Sequence, residues 1–168
     1  MAATLIFLKL YFDNKPVVGE STALDFEQQI EVESFSWGIN ARQNDKRNGR
    51  PDVRPQQVTL TKFFDKASTN LCTQMAMRKK FSTARFTFIS AVMKDSKEKP
   101  RPIMELLLTD GFVEQVKLSA SESGASMSVR EEVALSFTKL KLVYHQADLQ
   151  RAVRAAPTTF DTEQPSVA

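Results

Sequence analysis

The spacing of apolar residues along these 168 residues predicts a mostly-β domain: a compact bulged β-barrel or two-sheet sandwich with one flanking α-helix at about Ser68–Lys80. Three observations carry this. Apolar residues recur mainly with period two. That alternation changes parity inside two long runs, as a bulge or a corner requires. Helical spacing is convincing in one stretch only.

In chain order, Thr4–Phe12 places Ile6, Leu8, Leu10 and Phe12 on one side and Leu5, Phe7, Lys9 and Tyr11 on the other, a strand expected to be buried on both faces. Asn14, Pro16 and Gly19 break the pattern. Ile30 and Val32 share a face, whereas Phe35, Trp37 and Ile39 fall on the opposite parity, which places a bulge near Glu33–Ser34. Beyond that switch Phe35 and Trp37 are expected in the core, backed by a small polar stripe of Ser34, Ser36 and Gly38. Ala41–Gln56 reads as a polar loop with Gly49, Pro51 and Pro55; it carries Arg42, Lys46, Arg47, Arg50 and Arg54 against Asp45 and Asp52.

Val58–Lys62 resumes as a strand. Helical spacing follows, with Leu71 and Met75 four apart and Cys72 and Ala76 likewise; Ser68 is the expected N-cap, and Arg78, Lys79 and Lys80 suit the negative end of the helix dipole. Ala84, Phe86, Phe88, Ser90 and Val92 then alternate with Arg85 and Thr87. A charged turn at Lys94–Pro102 precedes a strand at Ile103–Leu108, and Asp110-Gly111 gives a hairpin signal leading into Phe112–Ala120. Ser121–Ser128 reads as a loop. Val133, Leu135 and Phe137 alternate before the parity shifts to Leu140, Leu142 and Tyr144, a second bulge or a corner between sheets. Residues 1–145 are thus expected to form a single domain. Residues 146–168 form a tail, with a short helix at Gln146–Ala156 and a loose end after Pro157.

Composition narrows the function. No stretch approaches the roughly 20 apolar residues of a membrane-spanning helix, so no membrane insertion is expected. Met1-Ala2-Ala3-Thr4 has no basic region ahead of its apolar run, so no cleaved signal peptide is expected either. Cys72 is the single cysteine, which rules out an internal disulfide and a cysteine metal site; it is expected as a small buried apolar residue. The net charge of +3 implies no obligatory polyanionic partner.

Candidate chemistry is sparse. His145, the one histidine, follows the last clear strand and reads as a capping or solvated group. Zinc sites normally need several His, Cys or carboxylate ligands together, and no such cluster occurs in the sequence. The five glycines are scattered and form no phosphate loop. Asp65 beside Lys66 suits a cap or an ion pair, and adjacent Glu131 and Glu132 point to opposite strand faces. No catalytic residue, metal or cofactor is therefore assigned. The basic loop 42–54 could meet phosphates as a monomeric β-barrel binding nucleic acid would, but no aromatic lies between Asn40 and Gln57 to stack a base, which favours a solvated or protein-contacting role.

Three stretches together carry a resemblance. They are Gly19-Glu20-Ser21 followed by Ile30 to Gly38, Val58 to Ser68 leading into the helix, and Val129 to Leu140 ending at Tyr144. In this order and spacing the chain resembles the haemolysin-coregulated protein (Hcp) family, the tube subunit of the bacterial type VI secretion system, over roughly Thr4 to His145. The matching motif positions are Gly19, Glu20, Ser21, Trp37, Gly38, Asp65, Lys66 and Ser68. The resemblance implies hexameric rings that stack into an expelled tube and carry effector cargo in the lumen. It also implies partners in a spike protein, a contractile sheath and effectors, and export from the cytoplasm without a signal peptide. Under it Ser34 and Ser36 face the lumen, and Arg42, Lys46, Arg47, Arg50 and Arg54 lie on a loop that reaches the next ring. A phage-type tail tube or baseplate subunit is the alternative of the same architecture. Two departures stand out: the extended loop is charged rather than glycine-rich, and no Gly-Trp element follows Tyr144.

Overall fold

The computed structural model describes residues 4–43, 51–90, 101–124, 126–147, 152–154 and 158–161. In chain order these form β1 (Thr4–Phe12), β2 (Lys15–Pro16), β3 (Ile30–Val32), β4 (Ser34–Ser36), β5 (Ile39–Gln43), β6 (Pro51–Pro55), β7 (Val58–Phe63), α1 (Lys66–Ala76), β8 (Phe81–Ser90), β9 (Pro102–Gly111), β10 (Val113–Ser123), β11 (Ser126–Leu135), β12 (Lys139–Ala147), β13 (Ala152–Arg154) and β14 (Thr158–Asp161). A large antiparallel sheet runs β13-β12-β9-β8-β1-β2, with β14 also pairing β12 and β3 also pairing β1. A small sheet runs β10-β11-β7-β4, and β5 and β6 form a separate ribbon. The arrangement is the two-sheet sandwich of the expected pair rather than a closed barrel.

The core lies between the sheets. Leu8, Leu10, Phe12, Phe86, Leu106, Leu108 and Leu140 of the large sheet meet Val58, Leu60, Val133 and Leu135 of the small one. Phe35 is half-buried and sits edge-on to Phe86 and Phe88, with ring centroids 5.0 and 5.1 Å away, and Trp37 packs against the same cluster. β1 is two-sided only in part: Phe7 is covered by Phe26, stacked at 4.6 Å, while Leu5 and Lys9 are exposed.

The parity switch at Glu33–Ser34 is the point where one extended run leaves the large sheet as β3 and enters the small sheet as β4. There the Glu33 N–H donates to the Thr61 carbonyl at 2.8 Å. The second switch is a corner, where the chain passes from β11 in the small sheet to β12 in the large one through Ser136–Thr138.

Asp110-Gly111 is not a hairpin. β9 pairs with β8 and β12, and β10 pairs with β11, so these residues form a further corner between sheets. The two corners lie against each other: Thr138 N–H donates to the Thr109 and Asp110 carbonyls at 3.0 and 2.9 Å, and Ser136 N–H donates to the Phe112 carbonyl at 3.0 Å. This contact dictates the glycine, since a Cβ on Gly111 would stand 1.9 Å from the Ser136 carbonyl oxygen. Glu114 occupies a bulge beside the corner, where it accepts from Ser136 Oγ at 2.8 Å and Arg78 at 3.1 Å. The Ser136 hydrogen bond, then the Arg78 guanidinium, hold the Glu114 carboxyl below its ordinary range, against a smaller opposing effect of burial.

Four local expectations change. Residues 121–128 hold a tight β10–β11 hairpin, with Ser123 opposite Ser126 and Gly124 at φ 68°, instead of a loop. The polar stretch expected as a loop contributes residues 41–43 and 51–55 to the β5–β6 ribbon, Ile39 opposite Pro55 through Gln43 opposite Pro51, while 44–50 lies outside the described residues. Past His145 there are strands where a helix and a loose end were expected: β13 pairs residues 145–147 of β12, and β14 pairs residues 139–142. The helix begins at Lys66 with Asp65 as N-cap, ends at Ala76, and leaves Arg78 at φ 50°, so the three basic residues follow it. Cys72 on this helix is half-buried. The charged turn at 94–102 lies outside the described residues save for its last two.

Gly111→Ala is expected to cost about 3 kcal/mol or more, because the obstructing atom is backbone and cannot swing away; urea unfolding measures it. At Glu114 the lowered pKa means that its stabilisation is present above the ordinary carboxylate value of 4.5 and is lost as pH falls through the folded-state value. Ser136→Ala should therefore move the acid limb of the stability curve to higher pH, as read from urea midpoints across the acid range.

Candidate assembly surfaces and the buried ion cluster

Two of the family-motif stretches meet in one buried cluster. Along β7 the inward parity is Val58, Leu60, Lys62, and along β11 it is Leu135, Val133, Glu131, so the sheet brings two opposite charges to core positions. Lys62 and Glu131 are both 0% exposed, and Lys62 Nζ lies 2.7 Å from Glu131 Oε2. The same ammonium reaches Asp65 Oδ1 at 2.8 Å, Ser68 Oγ at 2.9 Å and the Phe63 carbonyl at 2.9 Å. Ser68 Oγ donates to Glu131 Oε2 at 2.6 Å.

The helix start is built into this cluster. Asp65 Oδ1 accepts from Ala67 N at 2.9 Å, and Ser68 Oγ accepts from the Asp65 N–H at 3.0 Å, a reciprocal capping box. Asp65 thus takes the cap position expected of Ser68, which sits three residues later as its counterpart. Lys66 is exposed, and Asp65 pairs with Lys62 rather than with it. A serine and a lysine 2.9 Å apart resemble a nucleophile with its base, but both side chains are sealed from solvent and the hydroxyl is committed to the cap. The cluster positions the helix and performs no chemistry.

The motif Gly19-Glu20-Ser21 closes a loop. Gly19 N–H donates to the Gln28 carbonyl at 2.7 Å, and a Cβ on Gly19 would stand 2.3 Å from the Gln29 carbonyl oxygen. Buried Ser21 accepts from Ala23 N–H at 3.2 Å, while Glu20 points to solvent. Gly38 joins the base of the ribbon, accepting from Gln56 N–H at 2.9 Å.

Ser34 and Ser36 are exposed on the outer face of the small sheet, as the parity required. The register extends that face into rungs: Ser34, Thr61, Glu132 and Lys117 in one, Ser36, Thr59, Ala134 and Gln115 in the next. Ser119 with Arg130 and the exposed Phe63, then Ser121 with Ser128, continue it, so hydroxyls are the commonest group on a face that also carries charges and one aromatic. Ser34 and Thr61 hydroxyls bond at 2.5 Å, and Arg130 joins this face to Glu33 by two hydrogen bonds of 2.9 and 3.0 Å. On the opposite face of the same sheet the β10–β11 hairpin runs past the core and exposes Leu118 (51%), Met127 (69%) and Val129.

Arg54 is exposed on β6, and Arg42 lies on β5 opposite Asp52. Lys46, Arg47 and Arg50 lie outside the described residues. His145 belongs to β12 itself, with Nε2 2.8 Å from Glu105 Oε2, and is not a cap. Among the described residues no group of three or more His, Cys, Asp or Glu could hold a metal ion, and no helix is long and apolar enough to cross a membrane.

The comparisons bear on this geometry. Residues 7–144 match the family profile described as "Type VI secretion system effector, Hcp". Among solved structures, Hcp1 from Salmonella typhimurium superposes with a TM-score of 0.73 at 25% identity, over 99% of this chain and 100% of that one. A protein described as a type six secretion system protein gives 0.82 at 18% identity, over 99% and 100%. A doubly substituted form of the Hcp1 protein from the E. coli EAEC 042 pathovar gives 0.77 at 16%, over 95% and 99%. No curated protein sequence matches significantly. Fold and profile together define a type VI secretion protein. The chain belongs to the Hcp family of tube proteins.

Removing one partner of the ion cluster should leave a buried charge unpaired. Lys62→Met is expected to cost about 3–5 kcal/mol, and Lys62→Met with Glu131→Leu should recover most of that loss. Equilibrium unfolding of the two variants and the parent checks both statements.

Proposed function

We propose that this chain is the repeating subunit of the secretion tube, six copies closing a ring and rings stacking around a lumen that carries effector cargo. The observation that supports it most is the small sheet, which has a hydroxyl-rich outer face and two end strands, β4 and β10, each paired on one side only. A ring closed by one repeated contact uses two different surfaces of each subunit, and two unlike ends of one sheet meet that need. The hydroxyl face, with Ser34 and Ser36, then lines the lumen. The exposed apolar side of the β10–β11 hairpin supplies the buried part of the subunit contact, since large apolar side chains clustered at a surface favour association. Contact with a spike protein at the tube tip, enclosure by a contractile sheath and secretion with the tube follow from the same reading.

Negative-stain electron microscopy with a solution mass tests it. Six-fold rings at a mass of about six chains are expected, and a monomer persisting at high concentration overturns the reading. Leu118→Glu with Met127→Glu should disperse rings into folded single chains, because closing the contact would bury unpaired carboxylates. Charge reversal at Arg47 and Arg50 should shorten stacks and leave individual rings intact, as seen by the same imaging.

A further inference from the structure

Between the β1–β2 hairpin and the end of α1 lies a cleft of about 250 Å³, built from neither strand of the ribbon nor any strand of the small sheet. Local backbone fixes both of its walls. β1 and β2 pair at Phe12–Lys15, so Asp13 and Asn14 are the two central residues of the turn, at φ 48° and 60°, the geometry that matches the twist of a two-residue hairpin. Beyond the turn the Val17 N–H donates to the Leu10 carbonyl at 2.8 Å and stays beside β1. On the other wall α1 closes with a Schellman motif: Arg78 N–H returns to the Met75 carbonyl and Lys79 N–H to the Gln74 carbonyl, each at 3.0 Å. That reversal carries Lys79 back alongside Gln74, and its ammonium pairs with Asp13 across the mouth.

The lining combines three chemistries. Phe12 and Val17 give an apolar floor, each almost fully buried, and Phe12 is set edge-on to Phe81. Asn70 and Gln74, one turn apart and so on one face of α1, give a polar wall. Gln74 Oε1 is buried and has no hydrogen-bond partner, whereas buried acceptors are nearly always paired. At the rim Lys79 is engaged by Asp13, but Lys15 is exposed and makes no ion pair among the described residues. The volume exceeds the roughly 150 Å³ that takes up benzene and falls short of the roughly 300 Å³ at which drug-sized sites begin, so the guest it suits is no larger than an amino acid or two. A metal ion is disfavoured, because two ammonium groups flank the oxygens that would hold it.

We propose that this cleft binds a small carboxylate that also carries an N–H donor and an apolar group, the chemistry shared by an N-acylated amino acid and by the last residue of a peptide chain. The carboxylate meets Lys15, with Lys79 behind it. The N–H donates to Gln74 Oε1, the apolar side chain rests on Phe12 and Val17, and the Asn70 amide meets the acyl carbonyl. Asp13 on the rim repels a second negative charge, which selects for a monocarboxylate. The site is independent of the tube reading, since the ring and its lumen are drawn from other surfaces.

Saturation-transfer NMR observed on the ligand tests this with the full chain in whatever assembly it forms. The probes are acetyl-valine, its amide, the tripeptide acetyl-alanyl-alanyl-valine and inorganic phosphate. Acetyl-valine should bind, with its methyl groups receiving the strongest transfer, and the amide should bind about tenfold more weakly or worse. Gln74→Leu and Lys15→Met should each weaken acetyl-valine about tenfold, the loss expected for one hydrogen bond to a buried or charged group. A tripeptide that binds at least as well as acetyl-valine identifies a peptide end as the source, and one that binds much worse identifies a free acylated amino acid; either supports the site. The inference is overturned if neither acid binds at millimolar concentration, if acid and amide bind alike, or if Gln74→Leu changes nothing. Displacement of acetyl-valine by an equal concentration of phosphate also overturns it, since the cleft would then hold an adventitious ion only. Should either variant fail to fold, the comparison of acid with amide on the parent decides alone.

Discussion

The rest of the structure is arranged around the ammonium of Lys62 in the core. Taking two full charges out of water costs several kcal/mol each, a cost offset only if every proton and lone pair finds a partner. Lys62 has three protons and four oxygens within 2.9 Å, and those oxygens come from β7 itself, from the helix cap and from β11. The arrangement therefore closes only when β7, α1 and β11 are placed correctly relative to one another. An apolar pair would tolerate a shift along the strand, but a paired ammonium and carboxylate do not. Glu131 Oε1 has no protein partner, so the satisfaction is incomplete on one side. Specificity of placement, rather than net stability, is what this cluster contributes.

The small sheet shows how one short sequence serves two environments. In Val58-Thr59-Leu60-Thr61-Lys62 the even positions face the core and the odd ones face outward beside Ser34 and Ser36. A shift of one residue would put threonine hydroxyls in the core and valine and leucine in water, so the register is held by burial on one face and by hydroxyl contacts on the other.

Much of this was legible in the alternation. The strand faces, the parity switch at Glu33–Ser34 and the corner after Phe137 follow from side chains projecting to opposite sides in turn. Pairing was not legible at Asp110-Gly111, because the dipeptide marks a sharp change of direction whether the chain returns to its own strand or crosses to another sheet. Prolines disguised the ribbon: Pro51 and Pro55 close the ends of a two-stranded element, where a missing N–H breaks no central ladder. β13 and β14 escaped because edge strands of three and four residues need backbone partners more than an alternating pattern. Lys62 and Glu131 were readable in principle, since each continues a buried parity with a charge, and opposite charges doing so on two strands signal a pair. Nothing in a single strand reveals that three others extend Ser34 and Ser36 into a hydroxyl-bearing face.

Three strand-to-strand crossings between the sheets have a mechanical meaning. The chain passes from one sheet to the other at Glu33, at Gly111–Phe112 and at Ser136–Thr138, with the last two laced together by backbone hydrogen bonds. A thrust along the strands of one sheet is carried into the other as tension in covalent backbone. The two sheets are thus joined by covalent backbone as well as by packing, and neither can leave the other without pulling strands out of the ladders that hold them.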